Sequence, residues 1–163
     1  MVTVRKIRPE DVSACVDIYN FYIRETTVTF EEDELDAEEF GVRVGRILGD
    51  GYPYIVAEEQ GRVLGYAYLD MYSPRTAYRY TADLSIYVAN GGTARGVGRL
   101  MYEEIERSAR QLGLRNIISV ITEHNRPSVA FHERHGFTLA GKLDAVGYKF
   151  DRWLGVLMYQ KRI

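Results

Sequence analysis

The clearest alternation of apolar and polar positions lies in residues 81–112. Leu84, Ile86 and Val88 alternate with Asp83, Ser85 and Tyr87, the period of a half-buried strand. Asn90-Gly91-Gly92 breaks that pattern. Leu100, Met101, Ile105, Ala109 and Leu112 then share one helical stripe, with Glu103, Glu104, Glu106 and Arg110 mostly off it. The segment therefore predicts a strand, a glycine-rich turn and a helix. Before it, Val2, Val4 and Ile7 alternate as a strand, and Pro9-Glu10-Asp11 opens a helix with the stripe Val12, Cys15, Val16, Tyr19 and Ile23. The β-branched residues around 26–30 favour a loop or short extended piece. Phe40, Val44, Ile47 and Leu48 mark a second helix, and residues 54–58 and 63–69 an antiparallel hairpin.

After it, residues 116–122 form a near-continuous apolar run, as in a buried strand with partly parallel pairing. Asn125-Arg126-Pro127-Ser128 starts a helix with Val129, Ala130 and Phe131 inside. Residues 137–143 and a last stretch through Trp153, Val156, Met158 and Tyr159 are strands. With no repeat, low-complexity segment or linker, residues 1–163 read as one α/β domain with a mixed sheet flanked by helices.

Composition narrows the partners. The net charge of −2 shows no electrostatic footprint for nucleic acid. A single cysteine, Cys15, permits no disulfide within the chain and agrees with a reducing compartment; its place on a helical stripe favours packing over nucleophilic chemistry. The first residues lack a signal-peptide pattern and no apolar run is long enough for a bilayer, so a cytoplasmic protein without a membrane partner is expected. No spacing of His, Cys, Asp or Glu suggests a metal site.

A glycine-rich turn that opens a helix is a place for anions, because the first helical N–H groups are unpaired and the positive end of the dipole is there. Residues 93–99, Thr93-Ala94-Arg95-Gly96-Val97-Gly98-Arg99, fit a phosphate or pyrophosphate, with Arg95 and Arg99 adding charge; the glycines equally fit a plain turn. The dinucleotide fingerprint fails because Met101 stands where its third glycine belongs. The nucleoside-triphosphate loop fails because Arg99-Leu100 follows Gly98.

Arg95-Gly96-Val97-Gly98, after a strand ending Tyr87-Val88, resembles the coenzyme A pyrophosphate loop of the GCN5-related N-acetyltransferases, although Thr93 occupies the position of that pattern's leading Gln or Arg. The block from Asn125-Arg126-Pro127-Ser128 to Gly136-Phe137 resembles the family's next motif. Within the family, Tyr19-Asn20-Phe21-Tyr22-Ile23, Thr27-Val28-Thr29-Phe30, Ala77-Tyr78-Arg79-Tyr80-Thr81-Ala82 and Gly147-Tyr148-Lys149-Phe150-Asp151-Arg152-Trp153 look like the phosphinothricin N-acetyltransferases. The resemblance spans essentially the whole chain. It implies a mostly antiparallel sheet with a splayed central strand and acetyl-CoA as co-substrate. It also implies direct acetyl transfer, through a tetrahedral intermediate, to the α-amino group of a small acceptor such as phosphinothricin, methionine sulfoximine or methionine sulfone.

The same resemblance assigns roles. Asp83, where the subgroup usually has Glu, is the expected base for the acceptor ammonium; the alternative is that it only orients Arg79 or caps a loop. Backbone at Ile86, Tyr87 and Val88 is expected around the thioester, with residues 93–99, Asn125 and Ser128 along the coenzyme. His132 stands where many relatives have Tyr and either serves the leaving sulfur or bonds a backbone carbonyl. Arg75 and Arg79 suit the acceptor's acidic groups, and Phe30 and Tyr78 would wall its pocket. Trp153 fits a homodimer interface or the core. Acetylation of protein N-termini or ribosomal proteins, and a silent acyl-CoA-binding module, remain open beside this reading.

Overall fold

A computed structural model describes residues 1–91 and 96–163. The described residues form a seven-stranded sheet in the order β1-β2-β3-β4-β5-β7-β6 and four α-helices. The strands are β1 (Thr3–Lys6), β2 (Tyr54–Glu59), β3 (Arg62–Met71), β4 (Thr81–Val88), β5 (Asn116–Thr122), β6 (Thr138–Lys149) and β7 (Arg152–Arg162). The helices are α1 (Val12–Glu25), α2 (Ala37–Gly49), α3 (Val97–Gln111) and α4 (Arg126–Arg134). Only the β4–β5 pairing is parallel.

The alternation along β4 divides two cores. Ala82 and Leu84 pack with α3 through Met101, Ile105 and Ala109. Tyr87 faces the other way, towards a cluster in which Cys15, Ile23, Phe40 and Val44 of α1 and α2 cover Val56 and Tyr66. Cys15 is fully buried, and that burial pushes its thiol up to about 12, so it is a packing residue. The feature that positions the site is a divergence. β4 and β5 pair only at Thr81–Asn116, Ala82–Ile117 and Asp83–Ile118. β4 stays paired with β3 as far as Val88, and β5 with β7 as far as Thr122. The sheet is therefore splayed from Leu84 onward.

Two elements differ from the sequence expectation. Pro9–Asp11 is a 3₁₀ turn ahead of α1. The buried Asp11 carboxylate accepts from the Arg5 guanidinium at 2.6 and 2.9 Å and from the Arg8 N–H at 2.7 Å, so these bonds, more than the helix dipole, hold the acid there. The last two strands are longer than their apolar positions suggest. They form one hairpin turned by Phe150 and Asp151, whose left-handed φ angles of 53° and 56° match a two-residue turn normally built from Asn and Gly.

Candidate active site

The splay opens a cleft of about 520 Å³ between β4 and β5, closed at its sides by the start of α3 and by α4. Its β4 wall is Leu84 to Val88 and its β5 wall Ser119 to Thr122. Backbone direction follows from the β3–β4 ladder. The Ala89 N–H donates to the Leu64 carbonyl at 2.8 Å. In an antiparallel ladder this orientation repeats every second residue. Tyr87, Ser85 and Asp83 therefore bond to β3, whereas Leu84, Ile86 and Val88 turn their N–H and C=O groups towards the cleft. The Val88 carbonyl is taken by the Tyr22 hydroxyl at 2.6 Å. Of the three β4 residues expected at a thioester, Ile86 and Val88 offer backbone N–H groups to the cleft, whereas Tyr87 bonds to β3 and packs its ring against Tyr19, Tyr22 and Tyr66.

Helix α3 begins at the cleft mouth. Gly96 caps it with a φ of 71°, a conformation that favours glycine, and its carbonyl accepts the first helical bond, from Leu100 at 3.1 Å. The N–H groups of Val97, Gly98 and Arg99 precede that bond and have no acceptor within the helix. Gly96, Gly98 and Arg99 line the cleft, and Val97 is buried beneath them. At Gly98 a Cβ would meet Phe131 at an ordinary 3.5 Å, so the space it leaves belongs to the cleft and is not demanded by packing. Thr93, Ala94 and Arg95 lie outside the described residues. On α4, the Asn125 side chain caps the helix by accepting from the Ser128 N–H at 3.3 Å, and Asn125, Ser128, Phe131, Arg134 and His135 line the opposite wall.

His132 also lines the cleft and is buried. Its Nδ1 lies 2.8 Å from the Ser128 carbonyl, which fixes Nδ1 as the donor and leaves Nε2 as an acceptor. Burial lowers its pKa despite that bond, so the neutral ring prevails at neutral pH. On the β5 wall, Ser119 is buried, its hydroxyl has no partner among the described residues, and it too lines the cleft.

Asp83 sits at the apex of the splay, in the last β4–β5 pair before the strands part. Its side chain lies on the α1–α2 face with Ser85 and Tyr87. One carboxylate oxygen is buried without a hydrogen-bond partner. Burial, and then the charge of Asp70 across the ladder, push its pKa up to about 7. It is the described carboxylate best suited to exchange a proton near neutrality.

The residues expected around an acceptor are not gathered in the cleft. Phe30 packs its ring on the β6 backbone at Gly147, where a Cβ would come within 2.3 Å of it. Residues 26–36 are fastened there by the buried Lys149 ammonium, which donates to the Thr29 carbonyl at 2.8 Å, and by the Thr122 hydroxyl, which donates to the Thr27 carbonyl at 2.6 Å. Arg75, Tyr78 and Arg79 are exposed on the loop that leads into β4. The Arg79 guanidinium lies 4.7 Å from the centre of the Tyr80 ring, and Tyr78 stands against Tyr72. Trp153 is 66% exposed, which removes it from the core.

Residues 4–158 match the family described as Acetyltransferase (GNAT) domain. The chain belongs to the GNAT acetyltransferases. A phosphinothricin N-acetyltransferase of Alcaligenes faecalis is 39% identical over 160 residues, covering 98% of this chain and 81% of its own. The solved GNAT phosphinothricin acetyltransferase of Sinorhizobium meliloti, in complex with AcCoA, superposes with a TM-score of 0.96 at 34% identity, covering 99% and 88%. A structure described as ribosomal-protein-alanine N-acetyltransferase, from Brucella melitensis, gives 0.96 at 34% identity, covering 99% of each chain. Within this GNAT site, sequence patterning missed Tyr22, Ser119 and Asp70. Each reaches its place through a tertiary contact; Tyr22 lies within a block that carries the resemblance, but no local motif marks Ser119 or Asp70.

Proposed function

We propose that this chain transfers an acetyl group from acetyl-CoA to the α-amino group of a small amino-acid-like acceptor of the phosphinothricin or methionine sulfoximine class. The observation that carries the reading is the splay. Outward-facing backbone N–H groups and the unpaired N–H groups at the start of α3 line one cleft, and a carboxyl with a pKa of about 7 stands where its two strands part. When bound, acetyl-CoA supplies an activated acyl thioester. Val97, Gly98 and Arg99 suit its pyrophosphate, with Arg95 and Arg134 adding charge. The N–H groups of Ile86 and Val88 suit its amide-bearing arm and the oxygen that gains negative charge on attack. Asn125, Ser128 and Ser119 face the same arm from the other side.

The acceptor arrives as an ammonium. Asp83 takes its proton, directly or through a water, so the N–H bond breaks, an O–H bond forms and the free amine attacks. A carboxyl near pKa 7 is a stronger base than one near 4 and is still about half ionised at neutral pH. His132 in its observed tautomer accepts a hydrogen bond at the sulfur end and does not donate one. Arg75 and Arg79 meet the acceptor's acidic groups from the β4 loop, with Tyr78 and Phe30 bounding its side chain. The exposed β6–β7 hairpin pairs with a second copy in a homodimer.

A cationic peptide is the competing acceptor. Among the described residues no carboxylate lines the cleft, so a basic peptide would find no counter-charge along it. The test is free coenzyme A release from acetyl-CoA with phosphinothricin, methionine sulfoximine, methionine sulfone and a basic peptide as separate acceptors. Turnover with the small analogues and not with the peptide is expected. Preference for the peptide would move the function to protein acetylation. Release with none of the four would overturn the small-acceptor reading.

A further inference from the structure

Asp83 has a second carboxylate directly opposite. Asp70 of β3 is its register partner, in a pair of the closely hydrogen-bonded kind. Side chains so paired lie on the same face with Cβ atoms about 5 Å apart. Asp70 is held at both oxygens by the Arg46 guanidinium of α2, at 2.9 and 2.7 Å, and accepts the Met71 N–H at 2.7 Å. Although burial alone would raise the Asp70 carboxyl, these bonds bring it below its ordinary value, so it stays charged. Two carboxylates face each other across one ladder, therefore, and among the described residues only Asp70 has a cation.

We propose that Arg46 and Asp70 are a positioning pair that sets the basicity of Asp83. The proposal rests on the reading of Asp83 as the base. Asp70, kept ionised by Arg46, makes the neighbouring carboxylate reluctant to lose its proton and so strengthens it as a proton acceptor. Arg46 keeps the proton from being shared between the two acids, as it would be in a pair without a cation. Arg43 of α2, paired with Glu31 at 2.5 Å, lines the same pocket as Arg46 and Asp70. Tyr68 of β3 interacts with Ser85 and with Asp70. Tyr52, before β2, has its phenol raised by burial and by Asp70, Asp50 and Asp83. Asp50, at the end of α2, accepts from Arg46 at 3.3 Å. Ile118 of β5, opposite Asp83, carries no charge.

The arrangement makes two substitutions act in opposite directions. Asp70→Asn removes the repelling charge and leaves Arg46 without its partner, so Asp83 ionises more easily. Arg46→Gln removes a nearby positive charge and leaves the negative charge of Asp70 unneutralised, so Asp83 ionises less easily. An ion pair that served only stability would change both variants in the same sense and would not move a titration. The experiment is a carbon-13 NMR titration of the Asp83 carboxyl in wild type, Asp70→Asn, Arg46→Gln and Arg46→Lys. It is paired with kcat/KM against pH, using the best acceptor found. The Asp83 midpoint and the acidic limb should fall by about one pH unit in Asp70→Asn, rise in Arg46→Gln and return towards wild type in Arg46→Lys. Shifts in the same direction, or no shift, overturn the proposal. If Asp70→Asn does not fold, the two Arg46 variants decide by the same criterion. A wild-type rate in Asp83→Asn would instead overturn the reading of Asp83 as the base, and the NMR midpoints would still decide the proposal about the pair.

Discussion

Asp83 shows how one position combines opposing physical demands. A strand carboxyl in the last β4–β5 pair is shielded from water by neighbours that offer its buried oxygen no donor. Its pKa therefore rises, and the folded protein holds a proton there that the unfolded chain would release. The sign follows directly. The contribution of Asp83 to stability falls as pH rises from its ordinary value near 4 towards about 7. Over the upper part of the same window, the ionised fraction needed of a base increases. Stability lost at this residue is function gained, and activity should climb through pH 7 on the acidic side. His132 is a different case. Its residue type suited either a role at the leaving sulfur or a bond to a backbone carbonyl; its own helix supplies the Ser128 carbonyl that fixes the tautomer, and burial keeps the ring neutral. Nothing in the linear sequence distinguishes those two environments.

At the scale of elements, the strand–turn–helix of β4 and α3 was legible because period and punctuation agree over its length. The apolar run of β5 and the Asn–Pro start of α4 were legible for the same reason. The β6–β7 hairpin was harder to read. Its turn is made by Phe150 and Asp151, neither of which announces left-handed backbone, and β6 is too exposed to show a buried face. The attachment of residues 26–36 to this hairpin was also hidden, since Lys149 donates to Thr29 from 120 residues away in sequence. Gly147 is the element's tightest point. Gly147→Ala would drive a methyl group into the Phe30 ring, and such overpacking should cost about 1–3 kcal/mol. Denaturant unfolding should show a lower midpoint, and amide exchange should quicken in residues 26–36. An unchanged midpoint with unchanged exchange would show that the loop is not seated on β6 in this way.

Across the whole molecule, α1 and α2 cover β2–β4 on one face and α3 covers the other, whereas β6 and the turn of the C-terminal hairpin are largely exposed. Leu143, Val146, Tyr148, Phe150 and Trp153 are each 47–66% exposed on that hairpin or its turn, a concentration of apolar surface unusual for a monomer. The proposed second copy would cover it. Sedimentation velocity should find a dimer at micromolar concentration, and Trp153→Ser combined with Tyr148→Ser should shift it to monomer. A monomeric wild type would contradict the homodimer. The splay between β4 and β5 is likewise a whole-molecule property. It depends on how far each strand stays paired to its outer neighbour, so the sequence could imply it only by resemblance. Similarly, Arg46, Asp70 and Asp83 meet across α2, β3 and β4, and no local motif joins them.

The most direct test of the central claim, that Asp83, where β4 and β5 part, takes the acceptor's proton, is kcat/KM against pH for wild type and Asp83→Asn in the coenzyme A release assay. Wild type should show an acidic limb near pH 7. The variant should lose roughly 100- to 10,000-fold and lack that limb, while binding acetyl-CoA as wild type does. A variant within a few fold of wild type, with the limb still in place, would contradict it.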